Sequence, residues 1–212
     1  MFKSSGRKGN YAYTVARVKA KKSLLLGDED YNKMLQMSVP EISRYISESG
    51  YQKEMQELAS NLEGLDLVEH ATNANMAKVF SSILGASQGE LHTMVAAYLE
   101  KWDIWNLKVI LRGKSYGLDV ESVREDLVPA GCLKQEQLEK LMSMDSDEDI
   151  LAAYSKMEGV TIPQDVIASY KENGNLGEIE DYLDKFHYVR LLASIKADSR
   201  PTKMFEEYVR KE

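Results

Sequence analysis

Gly113-Lys114-Ser115 is the first place where residue types suggest chemistry. A phosphate-cradling loop ends in this way, because its backbone N–H groups and lysine meet the anion. Such a loop needs a glycine five residues before the second one. That position holds Lys108, inside a stretch that reads as helix. The tripeptide reads instead as a helix C-terminus, with Arg112 and Lys114 opposing the dipole and Gly113 as cap. His70, His92 and His187 stand far from one another and from Cys132, so no local metal-ligand spacing exists. Glu69 and His70 are adjacent, and adjacent residues point about 100° apart on a helix. Cys132 with a distant histidine would be a thiol dyad, but Ala130-Gly131-Cys132 carries no local signature. No G-x-S-x-G elbow occurs. The acidic run Asp145, Asp147, Glu148, Asp149 lacks the spaced ligands and glycine of a calcium loop. It reads as the start of a helix, where acids favour the dipole. No catalytic residue, metal or cofactor is expected.

Two aromatic-basic groups remain as candidate contact residues. Tyr13 and Arg17 form an i,i+4 pair on a basic helix. They would clamp an acidic group of a partner, or the tyrosine packs and the base is solvated. The second group is Trp102-Asp103-Ile104-Trp105-Asn106, followed by Lys108 and Arg112. Asp103 and Asn106 lie among apolar residues, and if buried must be hydrogen-bonded. Asp103 would restart a helix as its N-cap with Asn106 at N3, or these residues touch a partner directly.

The elements that position these groups are helices. Helical periodicity dominates, and no period-2 run is bounded by turn signals. A first helix is expected over 11–26, ended by a left-handed Gly27, and a second over 28–37. Ser38 with Glu41 makes a capping box, with Pro40 in the first turn. Ser49 with Gln52 repeats the pattern before a helix ending near Leu62. Two longer helices follow, over 66–84 and from Gln88 to Gly113 and Gly117. On the second, Leu91, Val95, Tyr98, Trp102, Trp105 and Val109 form the expected stripe.

The same plan returns in the second half. Residues 28–45 align with 135–154, placing Tyr31 on Leu138, Met34 on Leu141 and Met37 on Met144. Residues 65–83 align with 176–194, placing Val68 on Ile179 and Phe80 on Leu191. A shared order of helices in both halves predicts a duplication. The expected division is a flexible lead over 1–9, a first helical repeat domain over 10–117, and a second, incomplete at its end, over 118–212. Residues 203–212 match 92–102, so the chain stops where the second copy of 103–117 is due, as a truncated protein would.

Composition sets the outer bounds. Of 212 residues, 43% are hydrophobic, enough to bury a core. The formal charge is −7, but residues 1–27 hold seven bases and no acid, leaving −14 on the remainder. An acidic body opposes broad nucleic-acid binding. One cysteine excludes an intramolecular disulfide. No run approaches the roughly 18–20 apolar residues that span a bilayer, and the N-terminus has no apolar signal core. A soluble, intracellular product is expected.

Residues 10–25, N-Y-A-Y-T-V-A-R-V-K-A-K-K-S-L-L, resemble the opening of the C subunit of archaeal A-type and V-type rotary ATPases, the family of the V-type ATPase d subunit. Residues 96–114, A-A-Y-L-E-K-W-D-I-W-N-L-K-V-I-L-R-G-K, resemble its strongest motif. Tyr98, Asp103, Asn106, Lys108, Arg112 and Gly113 match by position. The resemblance implies an all-helical funnel of three related helical domains, of which about two are present here. It implies a non-catalytic central-stalk subunit that links the membrane rotor ring to the rotating shaft. Its partners would be the shaft subunits and the ring, with no nucleic acid and no small-molecule substrate. It would lie peripherally on the cytoplasmic face of the membrane. The competing expectation is a free-standing helical-repeat scaffold with a soluble protein partner; a hydrolase using Cys132 has little support.

Overall fold

The computed structural model describes residues 9–196 and 198–211. The described residues form twelve helices and no strand, as an all-α reading requires. The bases Lys3, Arg7 and Lys8 lie outside the described residues, as do residues 1–8 of the lead expected over 1–9. Two compact units emerge, one over residues 9–88 and one over 89–211.

The first unit holds α1 (Tyr11–Lys22), α2 (Asp28–Met34), α3 (Val39–Ser47), α4 (Gln52–Leu58) and α5 (Gly64–Ala86). Helix α5 is its spine, with α1, α3 and α4 packed on it. Ile46, Met55, Leu67 and Ala71 form the buried centre. Glu41 reaches back to accept the Ser38 N–H at 2.7 Å, as the capping-box spacing predicts, and the Ser38 hydroxyl donates to the same carboxylate oxygen at 2.7 Å. The Ser49–Gln52 pair does not repeat this. Helix α4 begins only at Gln52, and the Ser49 hydroxyl donates back to Ile46 O at 2.6 Å. A serine near a helix end has carbonyls within reach, so it closes the preceding helix rather than opening the next. Gly27 also departs from expectation. Helix α1 stops at Lys22, and Gly27, extended at φ −98°, is the N-cap of α2. The Asn10 amide joins both ends of the unit, donating to Ala86 O at 2.8 Å and accepting from the Gln88 N–H at 2.9 Å.

The second unit holds α6 (Gly89–Ser115), α7 (Val120–Glu125), α8 (Gln135–Met142), α9 (Asp147–Glu158), α10 (Gln164–Asn173), α11 (Gly177–Ser194) and α12 (Arg200–Val209). Helix α6 packs against α7, α8, α9 and α11. Leu107, Leu111, Leu138, Leu141, Ile150 and Ile179 are among its fully buried side chains. The acidic run opens α9 as expected: Ser146 Oγ accepts the Asp149 N–H at 3.1 Å, with three acids in the first turn.

The stripe expected on α6 is not its buried face. Trp105 is 49% exposed, while Leu99, Asp103, Asn106, Leu107 and Ile110 enter the core. Large apolar residues surround much of this helix, so their periodicity does not single out a face. Gly113 is not the terminus either. It lies inside α6, where a Cβ would meet Val123 Cγ2 at 2.3 Å. Gly117, at φ +68°, ends the helix. Its N–H reaches Lys114 O at 3.1 Å and the Leu118 N–H reaches Gly113 O at 2.9 Å, the paired bonds of a Schellman motif. Among the described residues, no helix is long and apolar enough to cross a membrane.

Candidate functional site

Asp103 and Asn106 share the inner face of α6 and bind one loop, residues 128–133. Helix α6 passes through both without a break, so Asp103 is a mid-helix residue and not an N-cap. The Asn106 amide exchanges two bonds with the Val128 backbone, Nδ2 donating to Val128 O and Oδ1 accepting the Val128 N–H, each at 2.8 Å. A side-chain amide carries one donor group and one acceptor, so it replaces a neighbouring strand here. The Asp103 carboxylate accepts the Cys132 N–H at 2.8 Å and the Leu133 N–H at 2.9 Å, one on each oxygen. Asp103 is 1% exposed and Asn106 0%, so these bonds replace water for otherwise stranded backbone groups. Gly131 allows the loop to come this close, since a Cβ there would lie 2.0 Å from Asp103 Oδ1.

Burial pushes the Asp103 carboxyl up to about 7, against the two N–H donors that favour its charged form. Glu158 and Glu100 add to the upward shift. Burial also pushes the Cys132 thiol up to about 12, helped by the Asp103 charge. A thiol in that state is no nucleophile at neutral pH. Its Sγ lies 3.5 Å from Ala96 O.

Lys108 and Arg112 leave the same helix on another side and meet α11. Lys108 Nζ donates to Asp184 Oδ2 at 2.5 Å. Arg112 grips Glu180 with two parallel bonds, Nε to Oε1 at 2.7 Å and Nη2 to Oε2 at 2.5 Å. The bases stand four residues apart on α6 and the acids four apart on α11, in opposite order, so the pairs fix an antiparallel register. Farther along, the buried Glu100 receives Arg190 Nη1 at 3.0 Å and faces His187 Nδ1 at 3.9 Å. Sequence reasoning misses Glu100, though a lone acid between the apolar run Ala96–Leu99 and Trp102 is a usable sign. It also misses Glu180 and Asp184, whose four-residue spacing mirrors that of Lys108 and Arg112.

Tyr13 and Arg17 belong to the first unit. Arg17 Nη1 donates to Tyr13 Oη at 3.0 Å and Nη2 to Ser82 Oγ at 3.4 Å. Its guanidinium carbon sits 5.7 Å from the Tyr13 ring centre. Both residues are exposed. His70 is half-buried, His92 exposed and His187 buried. Among the described residues, no group of three or more His, Cys, Asp or Glu side chains is placed to hold a metal.

Comparison with known proteins gives one family. The family model of the ATP synthase (C/AC39) subunit matches residues 14–212. The C subunit of the A-type ATP synthase of Methanococcoides burtonii is 40% identical over 99% of this chain and 58% of its own length. That of Methanosarcina acetivorans is 39% identical over 96% of this chain and 55% of its own. That of Halobacterium salinarum is 34% identical over 97% of this chain and 59% of its own. The chain therefore spans little more than half the length of these curated relatives.

Proposed function

The chain belongs to the ATP synthase (C/AC39) subunit family, and from that premise we propose that it serves as a non-catalytic central-stalk subunit of an A/V-type rotary ATPase. In this reading it links the membrane rotor ring to the rotating shaft and couples ion transport to ATP synthesis or hydrolysis. It lies peripherally, on the cytoplasmic face of the membrane, and takes no small-molecule substrate.

The observation that carries this reading is where the motif residues are used. Asp103, Asn106, Lys108 and Arg112 all bond within the chain, to the 128–133 loop and to α11. A transmission part needs helices that do not slide along one another, and close-packed interiors compress little. Two ion pairs in register and a clasped loop resist such sliding. Tyr13, Arg17 and Arg112 are the exposed members of the candidate set, and Tyr13 and Arg17, which take no part in the ion pairs to α11, remain the partner-contact candidates. With the repeats divided at 117/118, six of the helices among the described residues fall in each half, α1–α6 and α7–α12. The last helix of the first repeat then serves as the central helix of the second packing unit.

The test is affinity purification of the tagged chain from cells that carry the other subunits. Shaft and ring subunits should be recovered with it in fixed proportion. Recovery of an unrelated soluble protein, with no rotor subunit, would favour a free-standing scaffold.

A further inference from the structure

Among the described residues, helix α1 is poorly covered within its unit. Of its twelve residues only Thr14 is buried. Tyr13 is 55% exposed, Val15 47% and Val18 37%. A helix of this length gains most of its stability from packing, since isolated helices shorter than about 12–15 residues are marginal in water.

Its charges are equally uncommitted. Arg17, Lys19, Lys21 and Lys22 lie on or at the end of α1, and residues 1–27 contain no acid. Among the described residues none of these four bases is ion-paired, and Arg17 bonds only to hydroxyls. Among other bases of the chain, Lys78, Lys108, Arg112, Arg124 and Arg190 are ion-paired. Four neighbouring unpaired bases on a protein of net charge −7 make a local field of opposite sign.

We infer that one face of α1, carrying Val15, Val18, Lys19 and Lys22 at i, i+3, i+4 and i+7, docks an acidic helix of a partner protein. This rests on the reading that the chain assembles with other subunits, and it names the surface and the partner's chemistry. Lys19 and Lys22 lie beside Val15 and Val18 on this stripe. An amphipathic acidic helix matches such a mixed surface, its carboxylates meeting the bases and its apolar residues covering the valines.

The test uses the chain recovered in complex with its partners. Carbodiimide, which joins a lysine to a carboxylate in direct contact, should link Lys19 or Lys22 to an Asp or Glu of a partner. The K19E/K22E variant should keep the parent's helical signal, because both side chains are exposed and unpaired. It should recover about tenfold less partner, because reversed charges face like charges. Equal acetylation of Lys19 and Lys22 in the free chain and the complex would overturn the inference, as would assembly of the variant at the parent's level. So would the absence of protein links together with lysine-dependent retention on phosphatidylglycerol vesicles. A complex that forms without α1 contacts leaves the stalk reading standing and removes this one. No complex at all removes both.

Discussion

Gly131 lies so close to Asp103 that a single added carbon would occupy the carboxylate: a Cβ would sit 2.0 Å from Oδ1 and 2.4 Å from Cγ. This contact lets the Cys132 and Leu133 N–H groups reach both oxygens. Gly131→Ala must therefore push the loop outward or drive the Asp103 side chain off its rotamer. Overpacking of this kind costs about 1–3 kcal/mol, and the two N–H bonds loosen with it. We expect urea unfolding to show a loss of at least about 2 kcal/mol. In the Asp103→Ala background the same substitution should cost much less, because the clash is gone. A fully additive double-mutant cycle would contradict the contact.

The Asp103 carboxyl gives a pH dependence of definite sign. Its folded-state value is raised to about 7 from an ordinary value of 3.8, chiefly by burial. The folded protein therefore binds this proton more tightly than the unfolded chain. The resulting stability is fully present below about pH 4 and is lost as pH rises through about 7. The change over that window is at most about 4 kcal/mol at 1.36 kcal/mol per pKa unit. Asp103→Asn keeps the shape and removes the titration. The difference in unfolding free energy between parent and variant, parent minus variant, should fall steadily from pH 4 to pH 8. A constant difference would show that Asp103 titrates alike in both states.

Arg112 and Glu180 test the register of α6 against α11. The Arg112 side chain is 50% exposed and that of Glu180 16%, so the bond is partly screened. Exposed pairs contribute about 0.2–1 kcal/mol, and the two-bond grip places this one near the top of that range. Arg112→Glu should cost about 1–2 kcal/mol in urea unfolding, because it also sets two acids together. The swap Arg112→Glu with Glu180→Arg should recover most of the loss. If the swap stays as unstable as the single variant, the pair does not hold the register. Any loss of partner binding in the stable swap would mark Arg112 as a contact in its own right.

The all-helical class is legible in the sequence because caps and helical periods are local. The Ser38–Glu41 box and the acidic start of α9 follow from a few adjacent residues, and the span of α11 follows from the alignment of 176–194 with 65–83. The buried face of α6 does not follow, because large apolar residues lie on several of its sides. Asp103 and Asn106 are legible as polar residues in need of partners. Their partners are backbone groups in a loop more than twenty residues away, and backbone groups have no sequence signature. Gly113 and Gly131 show the same limit. Gly113 reads as a helix cap and Gly131 carries no local signature, yet each is required where another segment comes close, Val123 in one case and Asp103 in the other.

Asn106 offers the sharpest separation of shape from hydrogen bonding. Its side chain is fully buried and satisfies both the N–H and the C=O of Val128. Asn106→Ala strands both groups and leaves a small void, so a loss of about 2–4 kcal/mol is expected. Asn106→Asp keeps the acceptor for the Val128 N–H but turns a carboxylate oxygen toward the Val128 carbonyl. Two oxygens then face each other in a dry site, unless the acid takes a proton. The Asp variant should therefore recover stability at low pH, where its protonated oxygen donates to Val128 O, while the Ala variant should not. Amide exchange at Val128 gives the local reading. It should be protected in the parent, fast in Asn106→Ala at every pH, and protected in Asn106→Asp only under acid. Equal protection in all three would mean that the loop is held by its packing and not by this amide.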